Sequence, residues 1–473
     1  MVRIDSLSVR LPIAAISALC IVLIDILYDY GLIIGADPIF ILGVGIALFA
    51  CLYAYLRAGL HGPAFWFTIA AAFVLVSPLF AYALGYHYYS ELTRQYQSMS
   101  AMSIAILEGS LAVVILAVLI TPHPVAAYSY GKEAFRIQYG PFTSGLGLLG
   151  SCVALVFCAW LTDNGPILGL ADYAESRTNE FSDVRFAGGA WALFSVLAAY
   201  FYLGIRRAKG TFVLRALFYL SIAVSLVWLL LHGRRSETLG FILFLFCILS
   251  SPRKAISSPG TGRRILLPDF LTLRTMALVT IVGLSAAIGY YRTTLTWQFT
   301  KSDYVQPPGG AGNNLLTYLA SFDIAHRSGF GIYPGETYVN HLKNLPPQFV
   351  GLDRSPDAYM ILSKKIRLIG GQYWLMEPVM NFGGLGIAVY SVLIAFLASC
   401  SIRGIRRCLF NSGGLGGFLQ GGVFISLMFR TLWYGPSAAI NGEIMALLAV
   451  GSIFVLSKLG GQRAARFRTP TAT

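Results

Sequence analysis

The chain is built largely from runs of about 20 predominantly apolar residues, the length an α-helix needs to cross the ~30 Å hydrocarbon core of a bilayer. About 12 such runs are found, near 11–34, 38–56, 63–86, 100–122, 142–162, 186–205, 212–231, 236–250, 274–291, 378–400, 415–432 and 438–458. A transmembrane barrel would need short strands of alternating polarity, and Phe241-Ile-Leu-Phe-Leu-Phe-Cys-Ile-Leu249 does not alternate. Residues 11–34 are too long, and too closely followed by further runs, to read as a cleaved leader. Composition agrees with this: 12% of residues are charged, against roughly a quarter in a soluble domain. The expected fold class is all-α, a polytopic transmembrane helical bundle with one large, partly helical loop on one side.

The net charge of +14 bears on orientation. A basic chain can be a nucleic-acid binder, but Lys and Arg beside apolar spans mark the cytoplasmic side of a membrane protein. An N-terminus in the cytoplasm places about 21 of the 35 Lys and Arg on that side, including Arg3, Arg206, Arg207, Arg263, Arg264, Arg406 and Arg407. An even number of spans then leaves both basic termini inside and the acidic loop 163–185 outside. The seven cysteines all lie in or beside apolar runs, where they read as small hydrophobes. No Walker A, HExxH, paired CxxC or dinucleotide fingerprint is present, which disfavours an ATP-driven pump.

The informative segment is 292–375, about 84 residues long, where loops beyond about 15 are functional or disordered. Asn313 to Arg327 predicts a helix with Asn313 as its cap and a stop at Ser328-Gly329, and Asp357 to Ile369 predicts a second. The chain therefore divides into spans over 1–291, a cap over 292–377, and the last spans with a basic tail over 378–473. Basic residues of the cap, among them Arg292, Arg354 and Arg367, join Arg234 and Arg235 of the short turn before 236–250. External arginines run against the charge rule and suit a phosphate-bearing ligand, which a planar guanidinium holds bidentately. For any one of them alone, a surface salt bridge with Asp303, Asp323, Glu336, Asp353, Asp357 or Glu377 is an equal explanation. Where the cap re-enters the membrane, Glu377 and Pro378 suit a helix start, and by periodicity alone capping is a better explanation of Glu377 than catalysis. Tyr373 and Trp374 read as interface anchors, and Tyr373 joins the substrate-binding candidates with Asn381.

These segments resemble the Wzy-type bacterial polymerases of O-antigen and related oligosaccharide repeat units. The resemblance rests on His232-Gly-Arg-Arg-Ser-Glu-Thr-Leu239 between two spans, on Gly335-Glu-Thr-Tyr338 followed by Leu345-Pro-Pro347, on Glu377-Pro-Val-Met-Asn-Phe-Gly383 with Gly386, and on the single dominant loop. It implies a GT-C-like glycosyltransferase of the bacterial inner membrane that needs neither nucleotide sugar nor metal. Donor and acceptor would both be undecaprenyl-pyrophosphate-linked oligosaccharides, a chain-length regulator protein a further partner, and nucleic acid none. Matching positions carry over Arg234 or Arg235 and Glu377 with Asn381; Arg292, Arg354 and Arg367 follow from loop position and charge. The general base is left open among Glu377, Glu336, Asp357, His341, Asp323 and His326. The ionisable residues Asp25, Glu108 and Glu443, set within apolar runs, support a rival reading as a lipid-oligosaccharide flippase or proton-coupled transporter. An O-antigen ligase is the rival within the same class.

Overall fold

The apolar runs form helices because a backbone removed from water must satisfy its own N–H and C=O groups. The computed structural model describes residues 7–59, 62–83, 99–120, 141–161, 185–205, 210–231, 235–249, 311–327, 334–344, 355–356, 358, 361–362, 373–410, 415–435 and 443–452. The helices among them are α1 (Leu7–Asp29), α2 (Asp37–Ala58), α3 (Pro63–Ala83), α4 (Met99–Ile120), α5 (Pro141–Leu161), α6 (Arg185–Ile205) and α7 (Phe212–Leu231). They continue with α8 (Arg235–Leu249), α9 (Ala311–Arg327), α10 (Glu336–Lys343), α11 (Met376–Phe410), α12 (Leu415–Ser426) and α13 (Met428–Tyr434), and then α14 (Glu443–Ser452). No strand occurs among the described residues. The run 274–291 and nearly all of the helix expected over 357–369 lie outside them.

Among the described residues, five helices are long and apolar enough to cross a membrane: α1, α2, α4, α7 and α11. They play two roles. In α4, 83% of the apolar stretch is enclosed by protein, so this helix is the axis, packed against α1, α2, α3, α9 and α11. In α1 the share is 22%, and in α2 and α7 it is 28%. These outer helices, with α5 and the far face of α11, expose Leu19, Leu23, Phe49, Leu52, Leu149, Phe157, Leu220, Val224, Val389 and Phe396. So broad an apolar belt is out of place in water and is what a hydrocarbon surface requires. The chain reads as a membrane protein on this ground.

Close helix crossings rely on glycine, as expected where dispersion has to replace the hydrophobic effect between helices. A Cβ at Gly421 of α12 would fall far inside contact with the Ser401 carbonyl of α11, and one at Gly422 would lie 2.5 Å from Val196 of α6. The α8–α12 crossing passes through Gly240 in the same way.

Helix α9 of the loop segment does not ride above the bundle. Helix α9 is let into it: Tyr318 and Phe322 are wholly enclosed, and the Tyr318 hydroxyl donates to the Ala105 carbonyl of α4 at 3.0 Å. The helix begins at Ala311, so Asn313 lies in its first turn and is not its cap. Ala320 and Ile324 of α9 meet Met376 and Met380 of α11 and the described residues Ala358 and Leu362 in a small second core. Tyr373 and Trp374 are enclosed too, at 1% and 0% exposure, so they are core residues and not interface anchors.

Candidate functional site

The site lies where α1 ends, α9 ends and α11 begins. Helix α11 is broken at Gly383, whose φ of 57° and ψ of −144° leave the helical region. A β-carbon is disfavoured at that φ, and here it would also stand 2.9 Å from Asp25 Oδ2. The break deprives the Gly384 N–H of a helical acceptor, and Asp25 Oδ2 takes it at 2.8 Å. A β-carbon at Gly384 would lie 2.6 Å from that of Asp25, and one at Gly386 would run into the Pro378 carbonyl oxygen. The glycines after Asn381 therefore shape a break that docks on α1.

The short segment before the break carries a second junction. Thr337, in the first turn of α10, donates its hydroxyl to Glu377 Oε1 at 2.8 Å. Asn381 Nδ2 donates to Thr337 Oγ1 at 2.7 Å and to the Glu377 carbonyl at 2.8 Å, while its Oδ1 accepts the Gly335 N–H at 3.1 Å. Two of the segments that carried the family resemblance, about 40 residues apart, are thus one hydrogen-bonded unit. Burial and the negative charge of Glu377 push the nearby Tyr338 hydroxyl up, which keeps it a donor. The far end of α10 is stitched down by Asn340 and Asn344, whose amides donate to the carbonyls of Pro356 and Ser355.

Asp25 also faces His326, near the end of α9. His326 Nδ1 is 2.5 Å from Asp29 Oδ1, and Nε2 is 3.2 Å from Asp25 Oδ1, out of line for a hydrogen bond. Phe322 and Tyr28 flank the imidazole with ring centroids 4.0 Å and 4.9 Å away. Burial alone would favour the neutral ring, but the two carboxylates outweigh it and raise the His326 pKa above its ordinary 6.5. Glu108 of α4 lies within electrostatic reach of both aspartates, buried, with neither carboxyl oxygen hydrogen-bonded. Among the described residues no three His, Cys, Asp or Glu side chains are grouped to hold a metal ion.

A raised folded-state pKa gives stabilisation that is full below about pH 6.5 and lost as pH rises through the folded value. The thermal midpoint of wild type minus that of His326→Gln should therefore shrink from about pH 6 to about pH 9. A difference that stays constant over this range would show that the paired imidazolium contributes nothing.

The sequence candidates fare unequally. Glu377 and Asn381 are brought together, and Asn381 spends every polar atom within the protein. Tyr373 sits behind them, its hydroxyl given to the Ala71 carbonyl at 2.7 Å. Glu336 is exposed on the first turn of α10, and His341 is half-buried on its last. Arg235 opens α8. Arg234, Arg292, Arg354, Arg367 and Asp357 lie outside the described residues. Sequence reasoning missed Thr337 and the pairing of His326 with Asp25 and Asp29; an aspartate at i and i+4 near the end of a span was the available signal. Compared with family models, with curated proteins and with solved structures, the chain gives no match.

Proposed function

We propose that this chain is a glycosyltransferase of the bacterial inner membrane. It would polymerise undecaprenyl-pyrophosphate-linked repeat units, with about 12 spans, both termini in the cytoplasm and the 292–377 segment in the periplasm. The observation that carries this reading is the junction of Gly335, Thr337, Glu377 and Asn381, which makes one site element of two motifs quoted for the family. In this scheme Arg234, Arg235, Arg292, Arg354 and Arg367 bind the pyrophosphate. Their preorganised charge stabilises the leaving group as the sugar–phosphate bond breaks.

The test is reconstitution. Purified protein in vesicles, given lipid-linked repeat units from a strain that carries the gene, is expected to yield a ladder of products without added nucleotide sugar. Absence of a ladder, with substrate intact, refutes the polymerase. The buried, unbonded carboxyl of Glu108 favours a second reading, a proton-coupled transporter. Gene deletion separates them: a polymerase mutant keeps single-repeat glycolipid and loses long chains, whereas loss of all surface glycan points to a flippase or a ligase.

A further inference from the structure

Beside the His326 cluster, between the end of α1 and the end of α9, lies an open cleft of about 380 Å³ lined by Tyr28, Asp29, Gly31, Ile33, Ile34, Phe322, Asp323 and His326. Its size falls in the small-molecule range, with room for a monosaccharide ring. Its walls mix two chemistries. Tyr28 and the two isoleucines offer apolar faces, and Asp29, with 22% of its side chain exposed, offers a carboxylate acceptor. The floor is a side chain nine-tenths buried, His326, which faces Asp29 through Nδ1 and Asp25, at 3.2 Å, through Nε2. The polar acceptor next to the open space is therefore Asp29. A cation entering would meet the imidazolium, and an anion would meet the aspartates. A neutral ring with hydroxyls on its edge and C–H groups on its faces conflicts with neither.

We propose that this cleft is a saccharide-binding subsite, with Asp29 accepting a sugar hydroxyl and Tyr28, Ile33 and Ile34 packing on the ring. This rests on the glycan reading above and names where the acceptor end of the chain is held. Asp29 is presented in a fixed orientation because His326 bonds its other side, and Asp25 ties the same cluster to the break in α11. Asp25, which accepts the Gly384 amide three residues past Asn381, links this cluster to the start of α11.

The experiment is saturation-transfer NMR on the full-length protein in phosphocholine detergent, with glucose, galactose, N-acetylglucosamine and N-acetylgalactosamine as probes. Wild type is expected to transfer saturation to at least one of them. Asp29→Asn should weaken that sugar about tenfold, the loss expected for one charge-assisted hydrogen bond. Ile34→Trp, at a position 75% exposed, should fill the cleft without disturbing the core and abolish transfer. No transfer to any probe, an Asp29→Asn affinity equal to that of wild type, or transfer that survives Ile34→Trp overturns the subsite. A protein that builds a ladder yet binds no sugar loses only the subsite, and one that binds sugar but builds no ladder loses only the polymerase.

Discussion

Asn381→Asp is expected to be more damaging than Asn381→Ala, although it is the smaller change in shape. Asn381 is fully enclosed and serves three partners at once: it donates to Thr337 and to the Glu377 carbonyl, and it accepts from Gly335. Alanine removes all three, leaving buried groups without partners at about 1–3 kcal/mol each, so a total near 3 kcal/mol is expected. Aspartate keeps the acceptor for Gly335 but turns a donor into a second acceptor, facing a carbonyl and a hydroxyl already committed to Glu377. It also sets a second carboxylate beside Glu377 in a buried site, which raises the cost further. Thermal midpoints in detergent and the length of the product ladder should both fall in the order wild type, alanine, aspartate. An aspartate variant as stable and active as wild type would mean that the junction does not hold α10 on α11.

Gly240→Ala is the second large effect. The added methyl would fall far inside contact with the carbonyl oxygen of Ser426 and 2.8 Å from its carbonyl carbon, and a backbone cannot rotate out of the way as a side chain can. Helix α8 must therefore move off α12, at a cost of about 3 kcal/mol. Since α8 begins at Arg235, the displacement also moves the turn proposed to hold pyrophosphate. A matched control is Gly150→Ala on α5, where a β-carbon meets nothing within 4 Å. There the substitution should be neutral, or stabilising by up to about 1 kcal/mol, because alanine loses less backbone freedom than glycine. The check is the thermal midpoint of each variant by fluorescence-detected size exclusion. Equal midpoints for the two alanines would refute the crossing.

The helical class was legible from the first residues onward, because crossing a bilayer demands local contiguity of apolar side chains, and contiguity is visible in a string. Helices α1 to α8 fall within about five residues of the apolar runs, α11 starts two residues before its run and continues ten beyond it, and α9 was foreseen to within two residues at its start. The short run 236–250 proved helical as well. What hydropathy did not carry was how deep α9 lies. Its apolar spacing suited a helix resting on the bundle equally well, and only Tyr318 bonding to Ala105 shows that it is let in.

The site was half legible. Glu377, Asn381 and the glycines that follow stood out because they sit close together in the chain. The sequence alone could decide helix type, the expected sidedness of the charges and the motifs that are local. His326 stood as one of six general-base candidates and Asp25 as an ionisable residue within an apolar run; their pairing spans roughly 300 positions and leaves no periodicity behind. The folded chain alone decided that Asp25 receives the Gly384 amide, that His326 lies between two aspartates beside a cleft, and that Asn381 is spent on alignment. The physical reason is the same in each case. Burial along one helix is a property of neighbours in sequence, whereas the satisfaction of a buried polar group depends on which helices packing brings together.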